Sequence, residues 1–132
     1  MQKIVKLMTV LPILLLAGCE NKYRSSYWTT ACVQSSQTSK GSISFAQFKG
    51  RFVFKLKRTA DGDGAITYEG KINEGEITVF YDTNDIKSDL FTLSGEQSVS
   101  DVAGYVTKGV TVYIVIESNG VAKGGKFSFN LN

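Results

Sequence analysis

The sequence predicts an all-β fold: a single antiparallel β-sandwich, jelly-roll-like, of about seven to nine strands. A small β-barrel is the alternative. Three observations predict this class. Apolar and polar residues alternate almost everywhere after Gly41, no stretch of a dozen residues has helical periodicity, and turn residues recur about every 8 to 12 residues. The residues that follow Gly18 are enough for one domain with one core.

The predicted elements follow from these alternations in chain order. The clearest strand is 110–117, where both faces are largely apolar, and we predict that it is central. The larger apolar residues of 43–57 stand at odd positions up to Phe45 and at even positions from Phe48 onward. This change of parity predicts a bulge or turn near 47–50. Asp61-Gly62-Asp63-Gly64 is a hairpin signal. The other predicted strands are 27–33, 43–45, 52–57, 66–72, 77–81, 90–93, 105–107 and 127–131, and the predicted loops or irregular segments are 35–40, 82–89 and 95–101.

The N-terminus has the order of an export signal. Lys3 and Lys6 supply positive charge, residues 7–16 are apolar apart from Thr9, and Ala17 and Gly18 are small. A helix needs roughly 20 apolar residues to cross a bilayer, so this run is too short for a comfortable permanent span. An export signal is therefore favoured over an uncut signal anchor.

The residues Leu16-Ala17-Gly18-Cys19 resemble the lipobox of small bacterial lipoproteins. This resemblance implies cleavage before Cys19 by a signal peptidase II and attachment of lipid to its thiol. It also implies a position at the cell membrane or, because Glu20 follows the cysteine, at the outer membrane of a host with two membranes. An ordinary secretory signal is the alternative. The expected organisation is a signal peptide (1–18), a lipid-anchored tether (19–26) and a β-sandwich domain (27–132).

Charge and composition exclude several classes of function. Without residues 1–18, 13 basic and 12 acidic side chains remain, so no global attraction toward nucleic acid is expected. The chain has no histidine, and Cys32 is the only thiol besides Cys19. These absences exclude the common His-dependent nucleophile systems and His or thiolate metal sites. We therefore expect no cofactor and no enzymatic activity, and we expect Cys32 to be buried rather than paired between chains.

The acidic residues give weak metal or catalytic signals. Asp61 and Asp63 begin like an EF-hand loop, but Ala65 and Ile72 occupy positions that should carry oxygen ligands. The loop 82–89 also contains several oxygen-bearing side chains. Glycoside chemistry would require Glu74 and Glu76, on either side of a turn, to face one cleft. We predict solvated loops and no metal site.

The basic residues Arg51, Lys55 and Lys57 are candidates for contact with an anionic surface, phospholipid headgroups being the nearest anions for a tethered domain. Phe52 and Phe54 should point to the opposite face of their strand, so the rings do not lie among the charges on one face, as they do in single-strand nucleic-acid binders. Tyr23, Tyr27 and Trp28 lie close to the expected anchor and suit a membrane interface. The favoured alternative for Trp28 is that it plugs one end of the core.

Three functions remain open at this stage. The first is a membrane-tethered binding module for a protein, glycan or other envelope component. The second is a cofactor-free hydrolase that uses carboxylates or a Ser/Lys pair. The third is a purely structural role in the cell envelope.

Overall fold

The computed structural model describes residues 23–132, which form nine β-strands and no helix. All strand pairs within the sheet are antiparallel. The strands are β1 (Ser26–Thr30), β2 (Val33–Ser36), β3 (Lys40–Lys57), β4 (Asp63–Ile72), β5 (Glu76–Asp82), β6 (Lys87–Ser94), β7 (Gln97–Thr107), β8 (Thr111–Ser118) and β9 (Ala122–Asn130).

Several of these strands are halves of longer ones. β8 pairs with residues 51–57 of β3, and β9 pairs with residues 40–48. β1 pairs across the junction, with Ser26 opposite Arg51 and Thr30 opposite Gln47. Because β1 pairs with β3 on both sides of this junction, it occupies the same edge of β3 along its whole length. β8 and β9 must then pair with the opposite edge of β3, one after the other. They are therefore two halves of one bent strand.

The same relationship continues across the sheet. β4 pairs with β9 and β5 pairs with β8, while β7 pairs with β4 and β6 pairs with β5. Five long strands thus lie side by side in the order β1–β2, β3, β8–β9, β4–β5, β6–β7. Each is bent or interrupted near its middle.

Two glycines show why the bends occur where they do. Gly50, in the middle of β3, has φ 119°, and a Cβ atom there would meet the carbonyl oxygen of Ser26. Gly75, between β4 and β5, has φ 99°, and its Cβ would meet the backbone of Val121 and Ala122. Only glycine combines a positive φ with such close approach of a neighbouring strand. The parity change between Phe45 and Phe48 lies beside this bend, but β3 continues through it with a constant pairing register, so the predicted bulge or turn near 47–50 is wrong in kind.

The bends fold the sheet over into two layers. Layer A contains β2, residues 40–48 of β3, β9, β4 and β7, and layer B contains residues 51–57 of β3, β8, β5 and β6. β1 lies along the bend of β3 and joins the two layers. The amide of Lys57 donates to the carbonyl of Thr38 over 2.7 Å, so the two ends of β3 meet. Across the interior, Phe91 of layer B stacks on Tyr68 of layer A with ring centroids 5.0 Å apart. The predicted antiparallel β-sandwich with a jelly-roll-like course is confirmed, and its sheet is nearly closed.

The core lies between the two layers and consists of the alternating apolar residues of both. β8 pairs with β3 on one side and β5 on the other, so the predicted central position of 110–117 is confirmed. Burial of this apolar surface, at about 25 cal/mol per Å², is the main stabilising term. The largest fully buried side chains include Phe48, Phe127, Phe129, Ile43, Leu56, Ile66, Ile72, Ile77, Ile114 and Ile116.

Some predicted loops and turns are wrong. Residues 33–36 and 97–107 form β2 and β7, whereas the sequence predicts a loop at 35–40 and an irregular segment at 95–101. Both strands lie at an edge of layer A and are largely exposed, so their polar composition conceals them. The loop 82–89 is also shorter than predicted, because β6 begins at Lys87. Asp61-Gly62-Asp63-Gly64 turns the chain without making a hairpin, since β3 and β4 do not pair and the chain crosses to the far side of β9.

Candidate functional sites

The outer face of layer A carries three rows of side chains that run across the strands and are polar except for Val33 and Val102 on the edge strands. In the middle row Ser35, Ser42, Ser128, Glu69 and Ser100 are directly opposite one another on β2, β3, β9, β4 and β7. Strands are 4.7–4.9 Å apart, so this row is about 19 Å long. Serine side chains are short, and the row therefore forms the floor of a trough between longer side chains.

The lysines and the asparagine of the flanking rows supply those longer side chains. On one side lie Lys40, Asn130, Thr67 and Val102, and on the other lie Ser44, Lys126, Lys71 and Ser98, each set in register across the strands. We refer to the three rows together as the polar trough.

Two cavities occupy the polar trough and adjoin at Glu69 and Ser128. The first, of about 360 Å³, lies toward β2 and is bordered by Lys40 and Asn130. The second, of about 450 Å³, lies toward β7 and is bordered by Lys71 and Lys126. The rings of Tyr68 and Phe129 underlie the first cavity but belong to the core, with 3% and 2% exposure. The trough therefore offers hydrogen bonds and charge rather than an aromatic platform.

The second cavity contains a pair of like charges. Lys71 and Lys126 are directly opposite in the β4–β9 register, and both are exposed. Among residues 23–132 neither forms an ion pair with a carboxylate. Like charges directly opposite one another destabilise a sheet. An anionic group between the two ammonium groups would remove that repulsion.

Among residues 23–132, Glu69 is the only carboxylate that borders either cavity. The usual glycoside-hydrolysing arrangement needs two carboxyl groups facing one cleft. The other acidic candidates lie elsewhere: Glu74 forms an ion pair with Lys123 over 3.5 Å, and Glu76 accepts a hydrogen bond from the Asn119 amide over 2.9 Å. Sequence reasoning missed the polar trough, although Ser-x-Ser alternation at Ser42 and Ser44 was a usable signal.

The outer face of layer B carries a second apolar cluster, separate from the core. Phe80, Tyr113 and Val115 are buried there, and Tyr23 and Val53 pack against them. The Tyr23 ring meets Phe80 and Tyr113 edge-on, with centroid separations of 5.8 and 5.6 Å. Tyr23 falls within the predicted tether 19–26, yet its ring is part of the folded domain.

Tyr23 is also held by a hydrogen bond. Its phenol donates to the buried carboxylate of Asp82 over 2.6 Å, and Asp82 accepts a second bond from the amide of Asn84 over 2.9 Å. The bond to Asp82, together with burial, raises the pKa of Tyr23 to about 12. The guanidinium of Arg51 lies 5.8 Å from the centre of the Tyr23 ring. Four side chains therefore fix this residue on layer B.

The three basic candidates share the outer face of layer B but differ in their environments. Arg51 forms an ion pair and hydrogen bonds with Glu117, one of them from Nε over 2.7 Å. Lys55 and Lys57 are exposed, while Phe52 and Phe54 are buried on the opposite side of the strand as expected. Among the described residues, Lys55 and Lys57 form no ion pair. Their ammonium groups are therefore available to an external anion.

The aromatic residues near the N-terminus behave differently from one another. Tyr27 stacks on Phe48 with centroids 5.8 Å apart. Trp28 is 51% exposed, so the expectation that it plugs the core is wrong. The pairing of β1 with β3 explains this outcome. Trp28 is opposite Lys49, on the same outward face as Ser26 and Arg51. Its side chain points away from the core.

The predicted metal candidates are dispersed. Asp61 forms an ion pair with Lys108 over 2.8 Å. Asp63 accepts a hydrogen bond from the phenol of Tyr105, and this bond raises the pKa of Tyr105. Within 23–132, no group of three or more His, Cys, Asp and Glu side chains is placed to hold a metal ion. Asp82 is engaged by Tyr23 and is not a free ligand.

Cys19 and the export signal lie outside the described residues. Cys32 is half-buried as a free thiol and packs against the main core, at the interruption between β1 and β2. From Tyr23 onward the chain contains no helix long and apolar enough to cross a bilayer.

Comparison with known proteins adds little to this geometry. No protein-family model matches the chain, and no curated protein matches it. Among solved structures, a cupin-2 domain protein from Shewanella frigidimarina is 13% identical, with TM-score 0.32 over 74% of this chain and 76% of that one. A family 29 carbohydrate-binding module is 19% identical, with TM-score 0.40 over 86% and 78%. A mutant of such a module complexed with mannohexaose is 17% identical, with TM-score 0.39 over 86% and 81%. Likeness at this level assigns no function.

Proposed function

We propose that this chain is a membrane-anchored lipoprotein whose β-sandwich binds an acidic glycan in the polar trough. The anchor is Cys19, and the domain lies outside the cytoplasm at the cell membrane or the outer membrane. The observation that carries the ligand class is the like-charged pair Lys71 and Lys126, which border the second cavity without a carboxylate partner among the described residues.

The anchor is supported by Leu16-Ala17-Gly18-Cys19. A single acyl chain gives only reversible membrane binding, whereas a diacylglyceryl group on the cysteine carries two chains. Such a group would hold the domain at the membrane surface. The role of the domain is then to recognise something that passes or surrounds that surface.

The chemistry of the trough supports a hydroxyl-rich ligand. Ser42 and Ser128 each offer a hydroxyl that donates and accepts, and Asn130 offers an amide with both capacities. Glu69 accepts hydrogen bonds from sugar hydroxyls in the middle of the row. At about 19 Å, the row is long enough for several sugar units.

The acidic preference follows from the balance of charge in the trough. Of the residues that the structure describes, three lysines (Lys40, Lys71 and Lys126) and one carboxylate (Glu69) border it. A carboxylate, sulfate or phosphate substituent of the glycan would lie between Lys71 and Lys126, and it would relieve the repulsion between them. A role in binding is favoured over hydrolysis because, in the part of the chain that the structure describes, no second carboxylate borders the trough.

The anchor is tested by metabolic labelling with radioactive palmitate. The wild-type chain should be labelled and should stay with membranes after a high-salt wash. Cys19→Ala should lose the label and should not be cut at the usual position. Cys32→Ala is the matched control and should keep the label. Label retained by Cys19→Ala would refute the lipoprotein assignment.

Ligand binding is tested with the lipidated protein in detergent micelles, using polygalacturonate as an acidic polymer and dextran as a neutral one. The wild-type protein should be retarded by polygalacturonate in affinity electrophoresis and should migrate unchanged with dextran. The double variant Lys71→Thr/Lys126→Thr should lose the retardation. Lys55→Thr/Lys57→Thr removes the same charge from layer B and should keep it. Equal loss in both variants would mean that net charge, rather than the trough, causes the retardation.

A further inference from the structure

The position of Tyr23 determines where the anchor can lie relative to the domain. Tyr23 is fixed on the outer face of layer B by Phe80, Tyr113 and Asp82. Only three residues separate it from Cys19. A fully extended chain advances at most 3.3–3.6 Å per residue, so the two residues are at most about 14 Å apart.

That short reach constrains the orientation of the whole domain. If Cys19 carries lipid, its backbone lies at the bilayer surface, and the point of attachment on layer B is no more than about 14 Å from it. The polar trough, on the outer face of the other layer, is separated from this point by the full thickness of the sandwich. Layer B is therefore the face held next to the membrane.

The charge and aromatic content of this face suit an anionic lipid surface. Arg24, Lys55 and Lys57 are exposed there, and so is Lys87, whose ammonium lies over the Phe80 ring. The half-exposed carboxylate of Glu117 is engaged by Arg51, and Asp89, opposite Phe80 on β6, is an exposed carboxylate of the same face, so positive charge predominates. Trp28 is half-exposed and points outward in the same direction as Arg51. Basic side chains are attracted to anionic headgroups within a Debye length, and tryptophan is enriched at membrane interfaces.

We propose that the outer face of layer B lies against anionic phospholipid headgroups, with Lys55, Lys57 and Trp28 in contact with them and Tyr23 as the fixed end of a short leash. This orientation rests on the proposed lipidation of Cys19. Its consequence is that the polar trough faces away from the bilayer and is open to soluble or wall-bound polymers.

Trp28 is a native reporter of this contact because it is the only tryptophan in the chain. We would reconstitute the lipidated protein in vesicles of phosphatidylcholine and phosphatidylglycerol, with and without brominated acyl chains, and confirm attachment by flotation. Brominated lipid should quench Trp28 emission, and vesicles without phosphatidylglycerol should give at least about twofold less quenching. Acrylamide in the aqueous phase should quench Trp28 less in anionic vesicles than in detergent.

The variants separate this contact from simple anchoring. Lys55→Glu/Lys57→Glu should float with the vesicles but lose at least about half of the quenching by brominated lipid. Lys71→Glu/Lys126→Glu makes the same charge change on layer A and should leave the quenching unchanged. Tyr23→Ala releases the fixed end and should also reduce quenching without loss of flotation.

Each outcome has a distinct meaning. Full quenching in the Lys55→Glu/Lys57→Glu variant, or equal losses in the two charge-reversal variants, would overturn the contact while leaving the anchor intact. A wild-type protein that floats with Trp28 fully accessible to acrylamide would do the same. A wild-type protein that does not float would overturn the lipid anchor, and the orientation with it. Binding of polygalacturonate by the trough is measured separately and is unaffected by any of these results.

Discussion

The phenol of Tyr23 donates a hydrogen bond to Asp82 over 2.6 Å, which joins the segment before β1 to the last residue of β5. This bond fixes the start of the folded domain several residues earlier than the predicted boundary at 27. Because the donor is a phenol that can lose its proton, the stability that this bond contributes should depend on pH.

Tyr23→Phe should keep the ring contacts and remove the donor, and it should lower the free energy of unfolding by about 1.5 kcal/mol at neutral pH. The pKa of Tyr23 is raised from 10.0 to about 12 in the folded state. The contribution of the phenol should therefore be full below pH 10 and disappear as the pH rises to about 12. Denaturant titrations of both proteins between pH 7 and 12 measure the difference. If the difference in the free energy of unfolding between the two proteins stays constant from pH 10 to 12, the hydrogen bond from Tyr23 to Asp82 is contradicted.

Ile114 in β8 is completely buried at the centre of the sheet, so Ile114→Ala should destabilise the domain by about 3 kcal/mol. Ile114→Asp should prevent folding, since it leaves an unpaired charge in the core. Val33→Ala is the control: this side chain is 69% exposed and should change stability by less than about 0.5 kcal/mol. Thermal unfolding followed by circular dichroism compares them. An unchanged midpoint for Ile114→Asp would show that β8 is not central.

Gly50→Ala should be more destabilising than an alanine at another glycine of positive φ. Gly62 has φ 74° with open space around its Cβ position, so Gly62→Ala should cost about 1–2 kcal/mol from backbone strain alone. At Gly50 the same strain is added to a clash with the Ser26 carbonyl, which is backbone and cannot rotate away. Chemical denaturation of both variants measures the difference. Equal costs would mean that β1 does not lie close to β3 at the bend.

Lys126→Thr should stabilise the domain at low ionic strength, because it removes a like charge directly opposite Lys71. The expected gain is a few tenths of a kcal/mol, and it should vanish in about 1 M salt, where the Debye length falls to about 3 Å. Lys123→Thr breaks the ion pair with Glu74 and should not stabilise. Melting temperatures at two salt concentrations test this. A gain independent of salt would assign the effect to strand propensity instead.

Sequence patterning predicted the parts of the fold in which one face of a strand is apolar. The alternation of Ile77, Val79 and Tyr81, and the doubly apolar run around Ile114, correspond to β5 and the central β8. β2 and most of β7 were missed because edge strands with two exposed or polar faces have no hydrophobic period. Their pairing with β3 and β4 is made by the backbone, whose hydrogen bonds do not depend on side-chain type.

The two candidate sites were predictable to different degrees. Lys55 and Lys57 were placed correctly on the solvent face, because Phe52 and Phe54 mark the other face of the same strand. The polar trough depends on register across five strands, and register between distant segments cannot be derived from local spacing. The docking of Tyr23 depends on a cluster formed by β5 and β8, and no local signal in residues 23–26 indicates it.

The order of the long strands has a consequence for how the domain assembles. Residues 26–57 and 63–107 each form a long hairpin, but the strand that joins them, β8–β9, comes last along the chain. A chain that is synthesised or exported N-terminus first therefore exposes the apolar faces of both hairpins until β8 and β9 follow. Such late closure of distant contacts is slow and leaves sheet edges open. The domain therefore stays incompletely folded, and vulnerable to aggregation, until β8 and β9 are available.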